Sequence, residues 1–359
     1  MQKPVRKKTA SFALKSRRPR SRRGAVHMGR YRLLQGNGWE RQAMRAGYQA
    51  GKRRSTGARK AASQAYGSWL SVSGIPAAQR FYVLPGTAEA FRRGFERGSR
   101  QRIPGPLLPP LVGRPSVIVS ACNEAAVLPA VLRELRRLPF HEIIVVENGS
   151  SDQSYAVARS FPGVIVIHVP ERLGHDVARA LGAQMCTGEH VLFIDGDMPV
   201  PAEQLSAYLV AADQGVDVVL NDIMPLLPPF SRQDEVTRCK TFLNRMLGRD
   251  DLGANSLTAV PHALTRHALD TLGYANLTVP PKAQSVAISR GLRIEAVHTV
   301  NVLRVNRIRK TNRGRDNPVA RLIIGDHIEA LGDAMRSLGI RLQWGQVSRA
   351  ELALRRNSL

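Results

Sequence analysis

The chain has 359 residues, 43% of them hydrophobic, which is enough for one sizeable globular domain with an appendage. Lysine and arginine number 53 against 28 acidic residues, so the formal net charge is +25. The three cysteines, Cys122, Cys186 and Cys239, are too few and too widely spaced for a disulfide framework or a common zinc site. No apolar run approaches the roughly 20 residues that span a bilayer, and no signal-peptide core is present. These features predict a cytoplasmic protein, with peripheral membrane attachment left open.

The positive charge is concentrated in the first third of the chain. Residues 1–114 contain 26 of the basic residues and only 3 of the acidic ones. We predict a disordered basic arm over 1–30, then a basic, partly helical region with a proline-rich linker over 31–113. Such a segment suits an anionic membrane surface or an anionic glycan, or has no fixed partner. Its aromatic residues are too sparse for a stacking platform, so nucleic acid is not predicted as a specific partner.

From residue 114 onward, short apolar runs alternate with amphipathic segments. Strands are predicted at 116–121, 142–146, 164–169, 190–194 and 216–220, with helices at 124–137, 176–185 and 202–212. This alternation predicts an α/β domain over 114–345, with a mainly parallel central sheet flanked by helices, and a tail over 346–359. Ligands of such sheets bind beyond the carboxyl ends of the strands. The glycine patterns of dinucleotide-binding and P-loop proteins are missing.

Two acidic residues leave the predicted fourth strand at that edge. Asp195 and Asp197 directly follow the apolar run 191–194, and we expect Gly196 between them to allow a tight turn. Both carboxylates can then reach one hard cation, Mn²⁺ or Mg²⁺, which in turn can hold a diphosphate. Acidic pairs at strand ends also act as turn or capping residues, and the spacing alone does not separate these interpretations.

Four polar motifs in order carry a resemblance to family 2 glycosyltransferases with the GT-A fold, covering residues 114–300. They are Ser120–Glu124, Val146–Asp152, Gly174–Gly182 and Ile194–Asp197. The resemblance implies a donor linked to UDP or GDP, a metal on Asp195 and Asp197, and a donor contact at Asp195. It further implies that the nucleotide is lined by Asn123 and Glu124, with its base read by Glu147. The structural alternative is that Asn148, Gly149 and Asp152 only form a turn and a helix cap.

Cationic and metal-binding residues are also implied by the resemblance. His175 and Arg179 would meet the donor phosphates, although Arg179 on a solvated helix face is the alternative. His298, after the apolar segment 292–297, is the candidate third metal ligand, with His327 as its rival. The basic run Arg304–Arg315 would close over the diphosphate or bind other anions.

The catalytic base is the point where this sequence departs from the family. An inverting transferase needs a carboxylate beside the acceptor hydroxyl, usually just before a helix that corresponds here to 283–290. Val279, Pro280, Pro281 and Lys282 stand there instead. Asp251, in the acidic pair Asp250-Asp251, is our candidate base. Retaining chemistry, an acceptor already ionised, or a fold that only binds would each explain the departure.

The sequence therefore predicts a metal-dependent glycosyltransferase that acts on a cell-surface glycan, a lipid phosphate or a small molecule. Two alternatives stay open. One is a non-catalytic protein that binds nucleotide sugars or acts as a scaffold, which the missing acid would explain. The other is a nucleotidyltransferase, although its usual glycine-rich signature is absent from Ser120–Glu124. The sugar, the acceptor, the stereochemical course and the oligomeric state do not follow from the sequence.

Overall fold

A computed structural model describes residues 37–53, 57–174, 176–302 and 318–357. The predicted disordered arm, His175 and the basic run Arg304–Arg315 lie outside these residues. Residues 37–357 form one compact unit in their described parts. None of the helices in these ranges combines the length and the apolarity that a membrane crossing requires.

Three helices precede the sheet, where the sequence predicted only partial helicity. They are α1 (Asn37–Gly51), α2 (Ala58–Val72) and α3 (Ala77–Ser99). Their own core contains Tyr66, Phe91 and Phe95, and the Tyr66 hydroxyl donates to the Leu84 carbonyl at 3.2 Å. The helices therefore form a packed layer and not a loose basic region.

Two glycine pairs bring α1 and α3 into backbone contact. Gly47 and Gly51 on α1 have the same spacing as Gly94 and Gly98 on α3. A Cβ atom on Gly47 would lie 2.2 Å from the Phe91 carbonyl oxygen, and one on Gly94 would lie 2.1 Å from that of Met44. Any side chain larger than hydrogen would force the helices apart.

The helical layer is joined to the rest of the unit through α3 and the segment after it. The Tyr82 hydroxyl donates to Asp222 Oδ2 at 2.6 Å, directly after a strand of the sheet that ends at Asn221, and lies 3.3 Å from the Ala296 carbonyl oxygen. In the proline-rich segment, Leu107 and Leu108 are buried. This segment is therefore packed against the protein, whereas the sequence suggested a linker.

Seven strands form one sheet in the order β3-β2-β1-β4-β6-β5-β7. Their bounds are β1 (Pro115–Ala121), β2 (Glu142–Asn148), β3 (Val164–Val169), β4 (His190–Asp195), β5 (Val218–Asn221), β6 (His262–Thr265) and β7 (Ile294–His298). Only β6 runs antiparallel to its neighbours β4 and β5. The predicted α/β fold with a mainly parallel sheet is thus confirmed, and the central strands are buried as continuous apolar runs.

Helices pack around the sheet, and the last two of those described follow the final strand in the chain. They are α4 (Leu128–Leu135), α5 (Ser154–Arg159), α6 (Val177–Met185), α7 (Ala202–Asp213), α8 (Glu235–Met246), α9 (Arg266–Leu272), α10 (Pro280–Ser289), α11 (Pro318–Leu338) and α12 (Arg349–Asn357). α11 packs against both α8 and α10. Because β6 is antiparallel, the loop that enters it shares one sheet edge with the carboxyl ends of the other six strands.

Candidate functional site

Asp195 and Asp197 lie at this edge, where β4 ends. Both are half-buried, whereas Gly196 between them is buried. The Gly196 amide donates to the Ser120 carbonyl at 2.8 Å, and an added Cβ would lie 3.1 Å from the Cβ of Ala121. Gly196 does not adopt a positive φ, so close approach to β1 explains the glycine better than the tight turn we expected.

Arg179 on α6 is the internal counter-ion of the acidic loop. Its side chain is 6% exposed, and it pairs with Asp176 and, through Nη2, with Asp195 Oδ1 at 3.3 Å. Burial opposes its charge, but the two carboxylates more than offset this and raise the pKa of Arg179. Arg179 is therefore not part of a solvated helix face, and it places a fixed positive charge beside Asp195.

An open cleft lies between the loops that follow β1, β2, β3 and β4. Of the residues chosen from the sequence, it brings together Glu124, Asp195 and Asp197. The other lining residues are Ser120, Ala121, Cys122, Asn148, Arg172, Gly174, Ala178 and Gly196. Arg172 adds an exposed cation that was not among the residues chosen from the sequence, although it lies in the same loop as the candidate His175. The cleft therefore carries both acidic and cationic groups, as a metal-bound diphosphate requires.

The loops after β1 and β2 hold each other through side chains that the sequence left ambiguous. Asn123 has a φ of 61° and is exposed, and its Oδ1 accepts from the Ser151 amide at 2.8 Å. Asp152 accepts from the Ala125 amide at 3.0 Å and from the Ser154 amide at 2.9 Å. Burial opposes it, but these bonds and that of the Ser154 hydroxyl lower the pKa of Asp152. Asp152 is thus a structural residue.

Glu147 does not reach the cleft wall. Its side chain has no exposed surface; it accepts from the Ser150 amide at 2.6 Å, and its Oε2 lies 2.5 Å from His168 Nδ1. The neighbouring Asn148 lines the cleft instead and holds the backbone of the loop after β3 in place. Its Nδ2 donates to the Gly174 carbonyl at 2.7 Å, and its Oδ1 accepts from the Leu173 amide at 2.9 Å. Base reading by Glu147 stays a prediction.

The structure does not bring His298 to the acidic pair. β7 is separated from β4 by β6 and β5, so the two strand axes lie on the order of 14 Å apart. Burial lowers the pKa of His298 to about 4, against the opposing effect of Asp222, its acidic neighbour. Within the described residues, no three His, Cys, Asp or Glu side chains are grouped as a metal ion would require. A third protein ligand is therefore not assigned.

Asp251 also lies away from the cleft. It forms an ion pair with Arg249 at 2.8 Å, its side chain is 63% exposed, and this pairing lowers its pKa. Lys282, which stands where the family usually has an acid, pairs with Asp333 at 2.7 Å and with Glu329 at 3.3 Å on α11. The carboxylates near the start of α10 thus come from α11, far along the chain from residues 279–282, where the family pattern predicts an acid.

One further acid of α11, Asp326, is electrostatically coupled to Asp176, which lies in the loop after β3. Burial and the charges of Asp176 and Glu329 raise its pKa to about 6. Asp176 is also a partner of Arg179. The negative charge of Asp176, which pairs with Arg179, therefore also acts on an acid of α11. In the sequence, Asp326 is recognisable only as the acid next to His327, the alternative candidate metal ligand.

Residues 116–246 match the family model of glycosyl transferase family 2. The undecaprenyl-phosphate 4-deoxy-4-formamido-L-arabinose transferase of Pseudomonas savastanoi pv. phaseolicola is 30% identical over 114 residues, which are 29% of this chain and 34% of that protein. Its Klebsiella pneumoniae counterpart is 27% identical over 178 residues, 45% of this chain and 52% of that one. The chain thus spans about a third to a half of these curated relatives.

Among solved structures, glucosyl-3-phosphoglycerate synthase from Mycobacterium tuberculosis is similar. Its complex with Mn²⁺, UDP and glucosyl-3-phosphoglycerate is 23% identical, with a TM-score of 0.46. The match covers 62% of this chain and 81% of that one. Its complex with UDP alone gives 21% identity and the same TM-score and coverage.

Proposed function

We propose, from the premise that residues 116–246 belong to glycosyl transferase family 2, that this protein transfers a sugar from a nucleoside-diphosphate donor. The predicted GT-A type agrees with the mostly parallel seven-stranded sheet flanked by helices and with the family match. The observation that carries the proposal is the Asp195-Gly196-Asp197 turn on the wall of an open cleft. The packing of β4 does not require two half-exposed carboxylates there, whereas a hard cation that holds a diphosphate does.

Asp195 and Asp197 fit a hard cation such as Mn²⁺ or Mg²⁺. Both side chains keep solvent access at the cleft, and carboxylate oxygens are the ligands such ions prefer. Two protein ligands suffice where diphosphate and water oxygens complete the coordination shell. When bound, the cation would stabilise the charge of the departing nucleoside diphosphate as a Lewis acid.

The residues of the chain would divide the work of donor binding. Arg179 holds Asp195 in place and offsets the acidic charge while the cleft is empty of donor. Arg172 is exposed on the opposite loop and would meet a phosphate oxygen. Glu124 and Asn148 would line the nucleoside. Asn123, Glu147 and His175 stay predicted nucleotide contacts, and Asp251 stays a predicted base.

For the acceptor, we propose a lipid phosphate. The curated relatives are named for transfer to undecaprenyl phosphate, and the chain shares about a third to a half of their length. Peripheral contact with an anionic membrane would then involve the basic residues of the first third of the chain. A soluble phosphorylated acceptor is the alternative, and turnover with each of the two acceptors distinguishes them.

The first experiment is calorimetric titration with UDP, GDP and their sugar conjugates, with and without Mn²⁺. We expect metal-dependent binding of one nucleotide, at least tenfold weaker in Asp197→Asn. Asp250→Asn is the matched control, because Asp250 is an exposed acid of a surface turn and lines no part of the cleft. A folded protein that binds none of these donors would refute the proposal.

Turnover separates the remaining alternatives. Release of nucleoside diphosphate with a polyprenyl phosphate acceptor is the expected result. Release of nucleoside monophosphate and pyrophosphate would establish a nucleotidyltransferase. Donor binding with no turnover on any lipid, glycan or small-molecule acceptor would favour the scaffold interpretation.

A further inference from the structure

Two phenylalanine side chains are exposed on the segment that connects β5 to β6. Phe230, in a short 3-10 turn, is 67% exposed, and Phe242 on α8 is 52% exposed. Single exposed apolar residues are common on soluble proteins, whereas neighbouring exposed rings that are rimmed by polar residues are typical of an interaction surface. The two rings therefore indicate a contact outside the chain.

Arginine side chains join the two rings into one surface. The Arg238 guanidinium lies 5.4 Å from the centroid of the Phe230 ring. Arg238 and Phe242 are four residues apart on α8, and Arg245 follows three residues later, so all three lie on one helix face. All of them are exposed, as is Arg232 beside Phe230. We name the five residues Phe230, Arg232, Arg238, Phe242 and Arg245 the α8 surface.

Both rings belong to regular secondary structure. The Arg232 amide donates to the Pro229 carbonyl at 2.8 Å and closes the turn that carries Phe230. Phe242 is on a helix that packs against α11 and buries the neighbouring Leu243. The backbone therefore holds both rings in their exposed positions.

Hydrogen bonds anchor α8 at the sheet edge that carries the cleft. Asn244 Nδ2 donates to the Asn255 carbonyl at 3.0 Å. Asn255 Nδ2 in turn donates to Asp222 Oδ1 at 3.0 Å, and Asp222 directly follows β5. β5 lies two strands away from β4, on the order of 10 Å, so α8 is attached to the same edge as Asp195 and Asp197.

The α8 surface is positively charged. Among the residues the structure describes, Arg232 and Arg238 form no ion pair. Arg245 lies 3.5 Å from Asp250, but the two side chains are 65% and 69% exposed, and such pairs are weak. Residues 230–249 contain five basic and two acidic side chains, which gives a net charge of +3. The rings are thus surrounded by cations that the protein itself does not neutralise.

We propose that the α8 surface docks onto an anionic lipid bilayer and so brings the cleft to an acceptor carried in that membrane. This inference rests on the proposed transferase function and adds the face of the protein that meets the lipid. The contact is separate from any that the basic residues of the first third of the chain make.

An anionic bilayer fits both parts of the α8 surface. Exposed aromatic rings insert at the boundary between headgroups and acyl chains, while arginine guanidinium groups bind lipid phosphates in a bidentate manner. The negative surface potential of such a membrane attracts the net positive charge. A second copy docked through the same face would instead bring like charges together, which is unfavourable.

The first test measures sedimentation of the full chain with vesicles of phosphatidylcholine, with and without phosphatidylglycerol. We expect binding that requires phosphatidylglycerol and is at least tenfold weaker in the double variant Phe230→Ser, Phe242→Ser. Met185→Ser is the matched control, because Met185 is 64% exposed at the end of α6, before β4 begins and thus at the opposite sheet edge. Unchanged vesicle affinity in the double variant, with an unchanged Tm, would overturn the proposal.

A tryptophan probe distinguishes insertion at this surface from attachment through the basic N-terminal residues. With anionic vesicles, Phe242→Trp should add blue-shifted emission to the wild-type signal, and brominated acyl chains should quench it. Met185→Trp should show neither effect. Equal quenching of the two probes would contradict docking through α8.

Matched charge variants test the arginines. Arg232→Gln combined with Arg238→Gln should weaken binding to anionic vesicles at least threefold more than Arg133→Gln combined with Arg136→Gln. The control pair removes the same charge from exposed positions at the end of α4. Equal losses would show that net charge alone drives binding and would refute the assigned face.

Donor titration and turnover separate this inference from the proposed function. The Phe230→Ser, Phe242→Ser protein should bind the nucleotide with Mn²⁺ and use a short, water-soluble polyprenyl phosphate as the wild type does. Turnover of a long-chain acceptor in vesicles should fall at least tenfold. Vesicle binding through the α8 surface by a protein that binds no donor would refute the transferase function and leave the membrane contact. Loss of a wild-type dimer in the double variant, with unchanged vesicle binding, would overturn the proposal and assign the surface to a second copy.

Discussion

The contact between α1 and α3 allows a prediction whose sign is opposite to that of helix propensity. Gly94→Ala adds one methyl group inside α3, where alanine is favoured over glycine by about 1 kcal/mol. The new Cβ would lie 2.1 Å from the Met44 carbonyl oxygen and 2.9 Å from the Tyr48 nitrogen, both backbone atoms of α1. Neither atom can rotate away, so the helices must separate.

The magnitude follows from two opposing effects. Overpacking of a well-packed core costs about 1–3 kcal/mol, and the gain in propensity offsets about 1 kcal/mol of it. We expect a net loss of up to about 2 kcal/mol for Gly94→Ala, or a Tm lower by up to about 6 °C. Gly47→Ala should act similarly, because its Cβ would lie 2.2 Å from the Phe91 carbonyl oxygen. The double variant should lose less than the sum, since one separation relieves both clashes.

Gly332→Ala on α11 is the matched control. Its nearest neighbour would be Arg336 Nη1 at 3.6 Å, an ordinary contact, so only the propensity gain of about 0.5–1 kcal/mol remains. The assay is thermal and urea unfolding, followed by circular dichroism. A Gly94→Ala protein that gains stability as Gly332→Ala does would refute the close crossing of α1 and α3.

Three further predictions concern ionisable side chains whose surroundings change their pKa. Arg179→Met leaves Asp176 and Asp195 without their counter-ion and should destabilise the protein by about 3 kcal/mol, with Mn²⁺ recovering part of the loss in thermal unfolding; an unchanged Tm would contradict the pairing. Burial and the nearby Arg179 lower the pKa of His262 to about 3, whereas in the unfolded chain this pKa is about 6.5. The protein is therefore not destabilised by His262 above pH 6.5, and it loses free energy of unfolding as the pH falls below that value, by about 2 kcal/mol at pH 5. Urea unfolding of His262→Gln at pH 7.5 and 5.0 should show a flatter pH dependence than the wild type. The pKa of Asp326 is raised to about 6, so its ionisation destabilises the folded protein as the pH rises from about 4 to 6. Asp326→Asn should raise the free energy of unfolding by up to about 1 kcal/mol at pH 7.5, after solvent screening, and by less at pH 5. An equal increase at both pH values would contradict the coupling.

The sequence by itself determined the α/β class and the position of the acidic pair. Apolar runs of five or six residues separated by amphipathic segments admit few other arrangements, and five strands were located to within about two residues. Because parallel strands end at one edge, Asp195 and Asp197 had to follow β4 there. The antiparallel strand β6 was not predicted, since its four residues carry too short a pattern.

Only the tertiary structure decided which side chains meet. The spacing of Gly47 and Gly51 matched that of Gly94 and Gly98 in sequence, but their contact depends on how α2 returns the chain. Glu147 does not line the cleft, because its carboxylate oxygens bond to His168 on the neighbouring strand and to the Ser150 amide. Lys282 found its partners 47 and 51 residues away on α11. Local periodicity determines where strands and helices form, whereas pairings across such separations depend on the packing of whole elements, which no local pattern encodes.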